Sequence, residues 1–296
     1  MREIPKGFSR FFKFSEILGG MNMFSEMLKN LREKRPLVHC ITNYVTVNDC
    51  ANILLACGGS PIMADDSSEV EEITSICGGL DINIGTLNKN TITSMFLAGK
   101  KANELNHPVV LDPVGAGAST LRTNTAKELI EKVKFTVIRG NISEIKTLAL
   151  GSGRTKGVDA DIADAVTEEN IADVMKFAKN FARETKAIIA ITGAIDIVCD
   201  AEKAYIIKNG HPMMSMITGS GCMLTALITA YITANQGKHL EATAAAVSAM
   251  GLCGELAYKK FEENNAGNST YRNYLIDEIY KLRGEKLDEA AKVEVR

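Results

Sequence analysis

The sequence predicts an α/β protein: a three-layer α/β/α domain on a mostly parallel central sheet, with an antiparallel hairpin at one edge. Two observations carry this reading. After Pro36, short apolar runs alternate with helical segments along most of the chain. Near-continuous apolar runs mark strands buried on both faces, as in a parallel sheet covered by helices. After Gly193 the pattern changes to two apolar arms around a polar turn, the signature of a hairpin.

The elements follow in order. Residues 1–20, MREIPKGFSRFFKFSEILGG, are basic and aromatic without a sustained apolar stretch or a small-residue cleavage site, so they make a poor signal peptide. They are expected as an extension with no assigned role, and one domain is expected over 21–284. Met21 and Met23 lead into an amphipathic helix over 24–34. The apolar runs LVHCI, SPIMA, LDINI, PVVLD, FTVIR and AIIAIT are expected as strands. Between and after them, helices are expected over 44–57, 68–77, 89–106, 119–134, 141–150 and 165–185. Ser68-x-x-Glu71 has the form of a capping box, and Gly58-Gly59 and Gly78-Gly79 read as helix ends. The hairpin is IDIVCDAEKAYIIKNG, turning at Asp200 to Lys203. Helices over 221–235, 239–259 and 270–283 complete the domain, and the charged tail, 285–296, is expected to fray.

Composition narrows the function. The 296 residues are 46% apolar and 24% charged, with a formal net charge of −2, an ordinary soluble balance with length for a substantial core. That charge leaves no electrostatic footprint for nucleic acid or an anionic membrane. No window reaches the roughly 18 apolar residues of a membrane span. Seven cysteines without a C-x-x-C pair argue against a disulfide framework or a zinc site and point to reduced thiols in the cytoplasm.

The loop Thr218-Gly219-Ser220-Gly221-Cys222, running into MLTALITAYITA, carries the most chemistry. Its glycines let backbone N–H groups approach a ligand, and the helix start adds free donors and a positive dipole end. Gly219, Ser220 and Gly221 therefore read as an anion cradle, suited to phosphoryl or acyl transfer. Cys222 reads either as a small buried hydrophobe or as a thiol whose thiolate this field favours. Open α/β sheets bind ligands at the carboxyl ends of their strands, which brings forward the residues that follow each run. Asp112 is either a turn aspartate or a carboxylate for magnesium or its waters. Arg139 and Glu144 either serve a helix end or hold phosphate and hydrated magnesium. Gly115-x-Gly117 lacks the third glycine of a dinucleotide fingerprint, and no phosphate-loop lysine motif occurs. His39 reads as a core histidine.

Together, LVHCITNYVTVNDCAN, SPIMADDSSEVEEI, VVLDPVGAGAS, VIRGNISEI, AITG and ITGSGCMLTA resemble the hydroxyethylthiazole kinase family, in the family's order. The resemblance implies a ribokinase-like fold, a homotrimer with sites near subunit interfaces, and ATP- and magnesium-dependent phosphorylation of 5-(2-hydroxyethyl)-4-methylthiazole toward thiamine. It implies that Met63, Asn43 and Gly219 meet the substrate and that Arg139 and Thr192 meet ATP. By the same resemblance Asp112 and Glu144 approach magnesium through water, and Cys222 is the catalytic base. Ser220 stands where family members often carry Ala or Thr. The rival readings are a kinase of hydroxymethylpyrimidine or pyridoxal on the same fold, a repair enzyme for hydrated nicotinamide nucleotides, and a non-catalytic nucleotide- or thiazole-binding protein.

Overall fold

The computed structural model describes residues 22–150 and 165–296. Its strands are β1 (Leu37–Ile41), β2 (Ser60–Met63), β3 (Gly79–Asn83), β4 (Val109–Asp112), β5 (Val137–Gly140), β6 (Ile188–Ile191), β7 (Asp196–Cys199), β8 (Ala204–Ile207) and β9 (Val293–Val295). They form one sheet in the order β2-β1-β3-β4-β5-β6-β7-β8-β9. Pairing is parallel from β2 through β6 and antiparallel from β6 through β9.

The helices are α1 (Met23–Lys34), α2 (Val47–Cys57), α3 (Val70–Ile76), α4 (Lys89–Glu104), α5 (Thr120–Lys132), α6 (Ile142–Leu150), α7 (Ile171–Thr185), α8 (Ser220–Ala234), α9 (His239–Glu263), α10 (Asn268–Lys281) and α11 (Gly284–Ala290). Successive strand side chains face opposite ways, so each run feeds two cores. On β4, Val110 joins one core with Leu227 and Tyr231 of α8 and Tyr271 of α10. Val109 and Leu111 join the other, with Met95, Leu129 and Phe177. The helix α8 is buried along nearly its whole length, which explains why its sequence is apolar all round.

The face of β3 under α8 is different. Leu80 and Ile82 point to the far core, which leaves Gly79, Asp81 and Asn83 toward α8. A Cβ on Gly79 would collide with Thr233, so the glycine sets how closely the helix lies on the sheet. That contact brings the start of α8 over the carboxyl ends of β3 and β4.

The predicted strands and helices are present, with shifts of a few residues at their ends. The expected helix over 165–185 begins at Ile171, and the Arg154 to Ala160 segment lies outside the described residues. The hairpin turns as expected, with Asp200 Oδ1 accepting N–H bonds from Glu202 and Lys203. His39 is a core histidine, its ring nitrogens 2.9 Å from Thr74 Oγ1 and 2.8 Å from the Ala64 carbonyl.

Two expectations are corrected. The Ser68–Glu71 capping box does not form. Ser68 instead donates both its N–H and its hydroxyl to Asp66 Oδ1, a turn that competes with the cap. The tail does not fray. The helix α11 buries Leu287 completely, and β9 pairs with β8 along Val293 to Val295, so the hairpin lies one strand in from the edge. Asp288 of α11 also accepts the N–H groups of Phe24 and Ser25, at 3.0 and 3.1 Å, and the Ser25 hydroxyl. The tail's charge pattern hid one apolar anchor, one cap and a three-residue strand.

Candidate active site

Three strand ends and one helix start meet here. β4 ends at Asp112, β5 carries Arg139, Thr192 follows β6, and α8 starts at Ser220. The chain enters α8 through Gly219 with φ of 83°. That left-handed backbone suits a residue without Cβ, and a Cβ there would strike Thr46. At Gly221 an added Cβ would stand 2.5 Å from Arg139 Nη1. The guanidinium therefore lies directly on the first turn of α8, whose amides have no partner within the helix.

A chain of carboxamides ties the thiol to the acid. Asn43 Nδ2 lies 3.0 Å from Cys222 Sγ and 3.1 Å from Asn83 Oδ1, donating to both. Thr46 Oγ1 donates to Asn43 Oδ1 at 3.0 Å, which fixes which end of that carboxamide faces the sulfur. Asn83 Nδ2 donates to Asp112 Oδ2 at 2.9 Å, where Thr225 Oγ1 (2.8 Å) and Arg139 Nη1 (3.5 Å) also donate. Arg139 Nη2 in turn donates to Thr192 Oγ1 at 2.6 Å.

Burial sets the charges. It pushes the Asp112 carboxyl up to about 6, while Arg139 and Thr225 pull it back down. Asp112 Oδ1 is buried with no hydrogen-bond partner. Burial, and after it the Asp112 charge, push the Cys222 thiol up, against donated bonds from Thr46, Asn83 and Asn43. Of the two readings of Cys222 the thiolate one is thus corrected: the residue sits at the helix start, but desolvation outweighs the field there.

Glu144 Oε1 accepts the Gly115 N–H at 2.8 Å and Oε2 the Asn141 N–H at 2.9 Å. Among the described residues no three acidic, histidine or cysteine side chains gather as a metal cage. The unpartnered Asp112 oxygen and the nearby Glu144 carboxylate fit a divalent cation that keeps most of its waters.

Beside Arg139 a cavity of about 470 Å³ opens, with Thr192, Ser220 and Gly221 on its polar side and Leu224, Val247 and Met250 on its apolar side. A wider depression of about 1150 Å³ lies at α1 and Arg283 to Glu285 and contains none of these residues. The structure therefore joins Asn43, Asp112, Arg139, Thr192 and Cys222 in one network, with Gly219, Ser220 and Gly221 at its centre. Met63 ends β2 opposite Cys40, half-buried and outside the hydrogen-bonded chain. Sequence reasoning missed Asn83, Thr46 and Thr225. Asn83 sat inside an apolar run and Thr225 inside an apolar helix, where a polar residue alone was the available signal.

A mixed sheet between two helical layers, with an open helix start facing an arginine at the strand ends, defines an α/β protein with a site for a small anionic ligand such as a phosphate. Solved structures agree on the fold: a pyridoxal kinase from Staphylococcus aureus aligns with a TM-score of 0.51 at 19% identity, covering 73% of this chain and 88% of that one. The chain belongs to the hydroxyethylthiazole kinase family, whose model matches residues 28–285. It is 65% identical over 272 residues to a hydroxyethylthiazole kinase from Clostridium acetobutylicum, covering 92% of this chain and 99% of that protein. With the enzyme of that name from Clostridium tetani it shares 51% over 271 residues, 92% of this chain and 97% of the other. The structure of the Pyrococcus horikoshii hydroxyethylthiazole kinase superposes with a TM-score of 0.82 at 36% identity, covering 93% of this chain and all of that one.

Proposed function

We propose that this protein transfers the γ-phosphoryl group of ATP to the hydroxyl of 5-(2-hydroxyethyl)-4-methylthiazole, a salvage step toward thiamine in the cytoplasm. The observation that carries the reading is the position of the α8 start, between Arg139 and Thr192 on one side and Asn43 and Cys222 on the other. A phosphoryl group placed there has the nucleotide cavity behind it and the thiol in front.

Phosphoryl transfer asks mainly for positioning and charge stabilisation. Arg139 and Thr192 hold the nucleotide phosphates, and the amides of Gly219 to Gly221 take up charge as the transition state forms. Met63, Asn43 and Gly219 place the thiazole alcohol. Its oxygen bonds to the γ-phosphorus as the bond to the β–γ bridging oxygen breaks, and ADP leaves. The alcohol proton passes late to the thiolate form of Cys222, the minor species because burial raises the thiol, and a loose transition state needs little early deprotonation. Asp112 and Glu144 are the residues that would hold a magnesium ion, which would supply neutralisation of the phosphate charge. The active form is a homotrimer with sites near its interfaces.

The test is direct. The protein is incubated with Mg-ATP and equal amounts of hydroxyethylthiazole, hydroxymethylpyrimidine and pyridoxal, and the products are read by mass spectrometry. The thiazole phosphate is expected; phosphorylation of the pyrimidine or pyridoxal alone overturns the assignment.

A further inference from the structure

The cavity beside Arg139 holds an acid to which the reaction above gives no part. Asp196 opens β7 and is 8% exposed, and it lines the cavity together with Arg139, Thr192, Gly193 and Ser220. Its Oδ1 accepts the Gly193 N–H at 2.9 Å. Its Oδ2 takes no hydrogen bond among the described residues and, unlike Asp112 Oδ1, is not sealed from solvent. A carboxylate there would repel a polyphosphate, whereas the neutral acid has an O–H to donate.

We propose that Asp196 is a nucleotide-binding residue of this cavity, donating through the oxygen that Gly193 leaves free to an oxygen of the bound nucleotide. The inference rests on the reading of this cavity as the nucleotide site.

Burial pushes the Asp196 carboxyl up to about 7, with the Gly193 N–H and the Arg139 charge pulling against it. The other titratable groups on the cavity wall are Arg139 from β5 and His211 from the segment after β8, while α9 presents only Val247, Met250 and Gly251. An acid whose folded value is raised is neutral below that value and charged above it. Nucleotide affinity is therefore highest below about pH 7 and falls as the pH climbs through it.

Calorimetric titration with magnesium and the non-hydrolysable analogue AMP-PCP, at about pH 6 and about pH 8.5, tests this. The wild-type Kd should rise about tenfold or more across that range, since loss of one required proton costs a factor of ten per pH unit. In Asp196→Asn the rise should shrink to the small change that the analogue's own ionisation causes, because that ionisation is common to both proteins. An equal rise in Asp196→Asn overturns the proposal. If that variant does not fold, Asp196→Ser gives the same comparison. Met250→Trp, which fills the apolar side of the cavity, separates the two layers of the argument. AMP-PCP binding to Met250→Trp at the wild-type Kd would place the nucleotide elsewhere and overturn the site reading. Lost binding there, with equal pH responses in wild type and Asp196→Asn, overturns the role of Asp196 alone.

Discussion

Asp112→Asn should give a protein that is more stable at alkaline pH and far less active. The folded carboxyl is pushed from 3.8 to about 6, a rise of about two units at about 1.4 kcal/mol each. The folded acid holds its proton more tightly than the unfolded one, so stability falls as the pH rises from the lower value through the higher. The loss is complete above about 6 and reaches up to about 3 kcal/mol. Asparagine removes that charge. Its Oδ1 can keep the bonds from Asn83, Thr225 and Arg139, and its amide nitrogen takes the place of the unpartnered oxygen. The amide nitrogen, buried there without an acceptor, offsets about 1–2 kcal/mol of the gain. A net gain of about 1–2 kcal/mol, or about 3–6 °C in Tm, is therefore expected at about pH 8. At about pH 5 roughly half of that loss has built up, because the unfolded acid is already ionised, and the offset cancels it, so the gain should be near zero. Thermal melts in chelator at both pH values measure this, and steady-state assays should show kcat reduced by about 10²–10⁴-fold. Equal destabilisation at both pH values, or a kcat near wild type, would refute the reasoning.

Other outcomes follow from the same network. Cys222→Ala should lower kcat by on the order of 10–10⁴-fold with little change in AMP-PCP affinity; a near-wild-type kcat removes the base role. Because burial and Asp112 push the Cys222 thiol up, kcat should keep climbing on the alkaline side, and a plateau complete below neutrality would contradict that role. Asn83→Leu leaves Asp112, Asn43 and Gly85 each short of a partner, and chemical denaturation should show a loss on the order of 3 kcal/mol. Leu287→Ala, at a fully buried position of α11, should cost about 2–5 kcal/mol in the same assay; a change under about 0.5 kcal/mol would mean that α11 detaches freely.

Much of this molecule was legible because its signals are local. Alternating apolar runs located the parallel strands, and the residues just past them supplied Asp112, Arg139 and Thr192. What escaped lies where one rule hid another. Asn83 and Asp81 sit in a run that reads as apolar, yet they form a polar stripe that becomes visible only when α8 is laid over it. The sequence leaves Cys222 open between a buried hydrophobe and a thiolate, because its proton affinity depends on burial and on Asp112, which only the fold brings to it. Ser68 and Glu71 fit a capping pattern, but Asp66 captures Ser68 first. The tail was misjudged because Leu287, Asp288 and Val293 gain their partners from α1 and β8, more than 80 residues away in the chain.

That tail joins the two ends of the described chain. Asp288 caps α1 across 264 residues, and β9 covers β8, which otherwise offers a free row of peptide groups. During synthesis both contacts wait until residues 284–296 have cleared the ribosome. Until then the growing chain carries an uncapped first helix and a sticky strand edge, and is in its most association-prone form.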